Sequence, residues 1–138
     1  NLFPVTIVET GALYYISFQV ATSYFLAGFV KIKQKNWRNG TALLTFIESP
    51  NYNSPNIFKN LLRIKGFSLV TSWSVIFFEI CFPLIFAQNS YAALIWIGLA
   101  LLFHFINVIL FGLNRFLIIW AATYPALYFV VNNFSNSP

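Results

Sequence analysis

The 138 residues are 59% hydrophobic and 8% charged, with a formal net charge of +5 and a mean hydropathy of +0.72. A soluble domain carries about 25% charged residues, so this chain leaves most of its surface for lipid to cover, which excludes a soluble globule and a disordered tract. The single cysteine excludes a disulfide framework and a thiolate zinc site, and the charges sit beside apolar runs, where headgroups rather than nucleic acid select them.

The chain starts at Asn1 and contains no Met, so a preceding region is expected. Residues 1–10 include Pro4 and Glu9 and have no signal-peptide pattern. The first predicted span, 11–30, holds no charge and ends on Lys31, Lys33, Lys35 and Arg38. At a rise of 1.5 Å per residue, about 20 residues cross the roughly 30 Å of hydrocarbon. The second span, 66–87, is interrupted by Glu79 and is expected to kink or loosen at Pro83. Gln88-Asn89-Ser90 makes a short turn into a third span, 91–113, which carries the one histidine, His104. Asn114-Arg115 is read as the next turn, and the fourth span, 116–131, is the shortest, with a polar, frayed tail after it. The expected fold is therefore all-α, a single membrane domain of four helices over 1–138, cut from a longer protein.

Between the first two spans the chain is not uniformly polar. Residues 41–47 are apolar and too short to cross, and Asn51-Tyr52-Asn53-Ser54-Pro55 is a turn cluster. Over 56–65, Ile57, Phe58, Leu61, Leu62 and Ile64 alternate with Lys59, Arg63 and Lys65. That pattern suits either a basic amphipathic helix lying in the interface or a stalk that continues the second span. Seven of the eight Lys and Arg residues fall between the first two spans, and Arg115 lies between the third and fourth. By the positive-inside rule these loops are cytoplasmic and both ends of the chain are outside.

Ionisable groups in a span cost roughly 2.5–3.5 kcal/mol at its centre on insertion scales, so each needs a partner or a purpose. Glu79 falls in the outer half of its helix. It is either a neutral acid bonded to a neighbouring helix or a group that handles a proton or a ligand. His104 and Asn107 share a helix face at i, i+3. They serve either an interhelical hydrogen bond of about 1 kcal/mol or acid–base chemistry at a quinone. No second His or thiol pair supports a metal site. Lys31 on position alone is a lysine snorkelling to the interface. Tyr24, Gly28 and Lys31 form one stripe, and a small residue such as Gly28 lets a helix or a ligand approach closely.

The run Gln19…Tyr24-Phe25-Leu26-Ala27-Gly28-Phe29-Val30-Lys31, followed by Trp37-Arg38-Asn39-Gly40-Thr41-Ala42, resembles the HTTM (horizontally transferred transmembrane) domain. That domain is shared with vitamin K-dependent gamma-carboxylase and has a Tyr-Phe-x-Ala-Gly-x-x-Lys helix end before a Trp-x-x-Gly loop. Glu79 with Pro83, and His104-x-x-Asn107 followed by Gly112 and Phe116, match later family positions in the same order. DoxX-type quinone-linked proteins and the membrane protein that helps mature a sporulation-delaying peptide are similar in the same way.

The resemblance implies a bacterial cytoplasmic-membrane protein with Lys31 as base, His104 as its polar partner and Glu79 beside them. It implies a pocket bordered by Tyr24, Gly28, Trp37 and Asn107, a quinone or lipid-like ligand, no metal, and a role in modifying or maturing a peptide or protein. The alternative is a non-catalytic subunit of a larger membrane complex, whose face of Ala21, Ala27 and Gly28 meets a partner protein. Lys31 and His104 must face one cavity in the first case and need not in the second.

Overall fold

The computed structural model describes residues 6–135, all of whose regular elements are helical. Helix α1, Ile7–Lys33, starts with a reciprocal cap. Thr6 Oγ1 accepts from the Glu9 N–H at 3.3 Å, and the Glu9 carboxylate accepts from the Thr6 N–H at 2.6 Å. Three short helices follow: α2, Lys35–Arg38; α3, Thr41–Ile47; and α4, Asn56–Arg63. Helix α5, Lys65–Cys81, passes into a 3-10 turn, Phe82–Ala87, with Pro83 in its first positions. Proline cannot donate to the α ladder, so the tighter turn begins where the sequence placed the loosening. Helix α6, Ser90–Phe111, is capped by Asn89, whose side chain accepts from the Ala92 N–H, and ends at Gly112 with φ 68°. Helix α7 runs Asn114–Ser135.

Among the described residues, four helical stretches are long and apolar enough to cross a membrane: Ile7–Lys33, Lys65–Ala87, Ser90–Phe111 and Asn114–Ser135. The chain is thus a multi-pass membrane protein of four helices, as its composition requires. α1 occupies the centre, packed on α5 along one side and on α7 along the other, and α6 packs on α7. The shared core is built from Val20, Ala21 and Tyr24 of α1, Phe82 and Ile85 of the 3-10 turn, Ala93, Ile97 and Ala100 of α6, and Leu127 and Val131 of α7. Small residues at these crossings let the backbones approach. At Gly28 an added Cβ would stand 2.8 Å from the Ile80 amide nitrogen and 2.9 Å from Glu79 Cβ, so only glycine permits the α1–α5 contact.

Several boundaries differ from the sequence reading. Asn114 and Arg115 open α7 rather than forming a turn, because Gly112 in the left-handed region already reverses the chain. α7 continues through Pro125 and past Val131 to Ser135, so the polar tail is helical as far as it is described. Asn132 accepts from the Ser90 hydroxyl at 2.9 Å, which ties that last turn to the start of α6. Residues 136–138 of the expected tail lie outside the described residues.

The segment between α1 and α5 departs most from a surface loop. Gly40, at φ 76°, packs its backbone on Leu69, and its carbonyl accepts from the Ser68 hydroxyl. Trp73 Nε1 donates to the Arg38 carbonyl at 3.2 Å. α2 and α3 therefore lie along the N-terminal half of α5. α4 is a separate helix rather than a continuation of α5, since the backbone breaks at Ile64 with ψ 108°. Its Leu62 is buried and it packs on α3 and α5. Ser54 in the preceding turn donates to the Leu110 carbonyl, and Tyr52 meets Phe111 edge-on at 5.1 Å, fastening the segment to the end of α6.

Candidate functional site

The antiparallel run of α1 against α5 decides where Lys31 goes. Gly28 brings α1 against Glu79 and Ile80, and one turn on Lys31 reaches the Glu79 carboxylate. Its Nζ donates to Oε1 at 2.7 Å and to Oε2 at 2.6 Å. Glu79 is buried and Lys31 half-buried. Glu79 stands fourteen positions into α5 from Lys65, about 21 Å at the helical rise. Lys31 therefore turns inward and is not at the level of Lys65, as a snorkelling lysine would be. Lys33, two residues on, is exposed and covers the Phe29 ring at 4.1 Å instead. The Trp37 indole lies 5.2 Å from Lys31 Nζ and adds a cation–π contact.

A second polar group crosses three helices. Tyr24 Oη lies 2.7 Å from His104 Nε2 and 2.9 Å from Tyr124 Oη. A neutral imidazole with its proton on Nδ1 satisfies all three: Tyr124 donates to Tyr24, and Tyr24 donates to His104. Aromatic rings fix the orientation. Tyr24 stacks on Phe82 at 3.9 Å, and His104 stacks on Trp120 at 5.2 Å with the planes 13° apart. An interhelical bond, one of the two readings of His104, is present with Tyr24 as the partner, and Tyr124 bonds Tyr24 in turn.

Both groups face one cavity of about 580 Å³. α5 and α6 meet through Phe78 and the 3-10 turn, where Phe78 contacts Trp96 and Phe103 at 5.7 and 6.0 Å. Towards the basic end the cavity takes the space between them. One wall is the α5 stripe Phe67, Thr71, Val75 and Glu79; the other is Phe103, Asn107 and Leu110 of α6. Tyr24, Ala27 and Lys31 of α1 and Phe116 and Trp120 of α7 complete the sides. Trp37, Ile47, Tyr52, Phe58 and Leu62 from the α2–α4 segment close the end. The lining is almost wholly apolar, and its volume falls in the range that takes a small amphiphile.

Six of the seven residues singled out in the sequence line this cavity: Lys31, Glu79, His104, Tyr24, Trp37 and Asn107. Gly28 does not, because its open face is filled by α5 rather than by a ligand. The small-residue face proposed for a partner is also turned inward. Ala21 and Gly28 are buried among the chain's own helices and Ala27 lines the cavity. Tyr124 and Trp120 went unnoticed in the sequence. The available signal was position, since Tyr124 sits at the midpoint of α7, where a phenol needs a hydrogen-bond partner that headgroups cannot supply.

The model of the HTTM domain matches residues 6–132. Sporulation-delaying protein SdpB of Bacillus subtilis (strain 168) is 30% identical over 92 residues, which cover 64% of this chain and 28% of that protein. The uncharacterized protein YitO of the same organism is 30% identical over 110 residues, covering 77% of this chain and 35% of its own. The chain thus spans about a third of the length of the curated relatives it matches. No solved structure matches it.

Proposed function

This chain belongs to the HTTM domain family, and from that premise we propose that it holds a quinone or lipid-like molecule in its membrane cavity. In this reading it takes part in the modification or maturation of a peptide or protein. The observation that carries the proposal is the convergence of Lys31, Glu79, His104 and Asn107 on one apolar cavity of about 580 Å³. Helix pairing alone needs polar side chains to meet one another; it does not need them gathered around a space. A ligand with a polar head and an apolar body fits that division, its body along Phe67, Val75 and Phe116 and its head at the polar side.

The two polar groups have different tasks. The Lys31–Glu79 contact provides a path for a proton, because transfer over 2.6 Å from ammonium to carboxylate leaves a neutral amine facing the ligand. Such an amine is the form a base requires. The Tyr24–His104–Tyr124 chain holds the imidazole ring against Trp120 and leaves its Nδ1 side for the ligand or for the cavity.

The test is binding. Trp37 and Trp120 line the cavity, so titration with decylubiquinone should quench the chain's indole fluorescence saturably in detergent or nanodiscs. Lys31→Ala and His104→Ala should remove the saturable component while membrane insertion persists. Linear, non-saturating quenching by folded wild-type protein, or unchanged titrations in both variants, would sink the proposal.

For topology, we place the chain in a bacterial cytoplasmic membrane, with the α2–α4 side and Arg115 cytoplasmic and both ends outside. Support comes from the one-sided distribution of Lys and Arg and from the bacterial relatives. Alkaline phosphatase fused after Pro138 should be active in a bacterial host, and the same enzyme inserted at Asn53 inactive. The reverse pattern would invert the assignment.

A further inference from the structure

Charge inside the cavity is balanced by the chain itself. Of the described residues that line it, only Lys31 and Glu79 carry a formal charge. Lys31 Nζ uses two of its three donors on the two Glu79 oxygens, at 2.7 and 2.6 Å. His104, accepting from the Tyr24 hydroxyl, adds no charge. The Ser23 and Thr71 hydroxyls donate to carbonyls of their own helices, at Gln19 and Phe67.

The polar groups also gather at one end. Phe67 and Glu79 bound the α5 wall, twelve positions and about 18 Å apart at the helical rise. Lys31 joins Glu79, and His104 stands near that level because its neighbour Phe103 meets Phe78 at 6.0 Å. Asn107 is one turn from His104. The Phe67 end is apolar, walled by Phe58 and Leu62 of α4, which packs on α5. Glu79 lies fourteen residues from one end of its 23-residue span and eight from the other, whereas Phe67 is two from Lys65. The polar end is therefore the one within the hydrocarbon. An amphiphile matching this division lies with its head towards the membrane interior, the reverse of a leaflet lipid.

A charged head fails there. An anion either stands beside the Glu79 carboxylate or takes Lys31 from it, and both leave a carboxylate unpaired in apolar surroundings. A phospholipid would have to carry its charged head into the hydrocarbon. An uncharged head leaves the ion pair intact. Asn107, whose carboxamide bonds nothing among the described residues, can donate to it or accept from it. We propose that the cavity takes an amphiphile with a small uncharged hydroxyl or carbonyl head, held towards the membrane interior, and rejects fatty carboxylates and phospholipids. This inference rests on the reading of the cavity as a ligand site and narrows the ligand.

The experiment is displacement of decylubiquinone, read as recovery of indole fluorescence, by dodecanamide and by dodecanoate at about pH 9, where the acid is ionised. The two share a body and differ in the head. Counted per detergent molecule, the amide should displace at least about thirty-fold more effectively. Glu79→Gln leaves the Lys31 charge uncompensated, so the preference should shrink to about three-fold or reverse. If that variant does not fold, the wild-type ratio decides alone. Orientation is read with brominated amides. Trp120 stacks on His104 and Trp37 lies 5.2 Å from Lys31 Nζ, both at the polar end. Bromine at the second carbon should therefore quench more than bromine at the twelfth. Equal or stronger displacement by dodecanoate, a full preference surviving in folded Glu79→Gln, or stronger quenching from the tail bromine would overturn this inference while leaving decylubiquinone binding in place. Absence of saturable decylubiquinone quenching would remove the ligand-site reading and this inference together.

Discussion

Replacing Glu79 by leucine should lower the stability of the folded chain by about 3–5 kcal/mol, because it strands a partly buried ammonium without its counter-ion. Both carboxylate oxygens take hydrogen bonds from Lys31, at 2.7 and 2.6 Å, and Glu79 is itself buried. No other acid is near: Glu48 is exposed and pairs with Arg63 at 2.9 Å, and Glu9 caps the far end of α1. The Trp37 ring offers Lys31 only a cation–π contact worth about 0.5–2 kcal/mol, which is too little to replace the carboxylate. The double variant Lys31→Met with Glu79→Leu should recover most of the loss, since a buried pair exchanged for apolar residues of similar volume is often neutral or stabilising. Thermal unfolding of the single and double variants in one detergent measures both. Near-equal losses in the two would show that the destabilisation comes from packing at the α1–α5 crossing rather than from charge. The double variant also separates stability from chemistry, because a well-folded chain lacking both groups should no longer support any step that depends on the Lys31 amine.

How much of this was legible in the sequence depended on whether the controlling signal was local. Four spans followed from hydropathy and length, and the loosening at Pro83 followed from one missing donor. The shared stripe of Tyr24, Gly28 and Lys31 followed from helical periodicity, but position alone made Lys31 a snorkelling lysine; Tyr24 and Gly28 are buried and Lys31 faces the cavity. What failed was tertiary. The apolar residues of α4 gave a correct helix but not its location, because Phe58 and Leu62 can meet lipid or protein equally well on composition. Contacts distant in sequence, such as the Ser68–Gly40 and Ser54–Leu110 bonds, 28 and 56 positions apart, bring that segment onto the bundle as the cavity's end wall. Tyr124 was hidden for a related reason. In a chain with 20% aromatic residues, a further tyrosine reads as part of an interfacial belt, and only its depth in α7 marks it as a buried donor. The end of α7 was misjudged because Asn132 and Asn133 resemble a loop. Helical geometry nonetheless places Asn132 opposite Ser90, where one hydrogen bond extends the helix by a turn.

Asn107→Leu and His104→Ala should both cost at least about ten-fold in the affinity of a quinone probe, but only His104→Ala should also cost stability. Asn107 lines the cavity, and among the described residues its carboxamide bonds nothing. Lys31 and Glu79 satisfy each other, and His104 Nε2 is taken by Tyr24. The polar group in the cavity with most capacity to spare is therefore a neutral amide, able to donate to a carbonyl or accept from a hydroxyl. A lost hydrogen bond to a buried ligand is worth about 1–2 kcal/mol, which sets the ten-fold figure. Leucine at position 107 breaks no intrachain bond and keeps the volume, so its unfolding temperature should stay within a degree or two of wild type. His104→Ala removes the partner of Tyr24 and the stack on Trp120, and leaves a space among three helices. Its stability should fall by about 2–4 kcal/mol on the cost of a buried cavity and an unpaired hydroxyl. Titration and unfolding on the same samples distinguish the roles. If Asn107→Leu binds the probe as wild type does, the head of the ligand lies elsewhere, and the His104 effect then reports only the architecture of the three-helix contact. If Asn107→Leu loses binding at full stability, the amide touches the ligand, and the polar side of the cavity is a recognition surface rather than a set of helix fasteners.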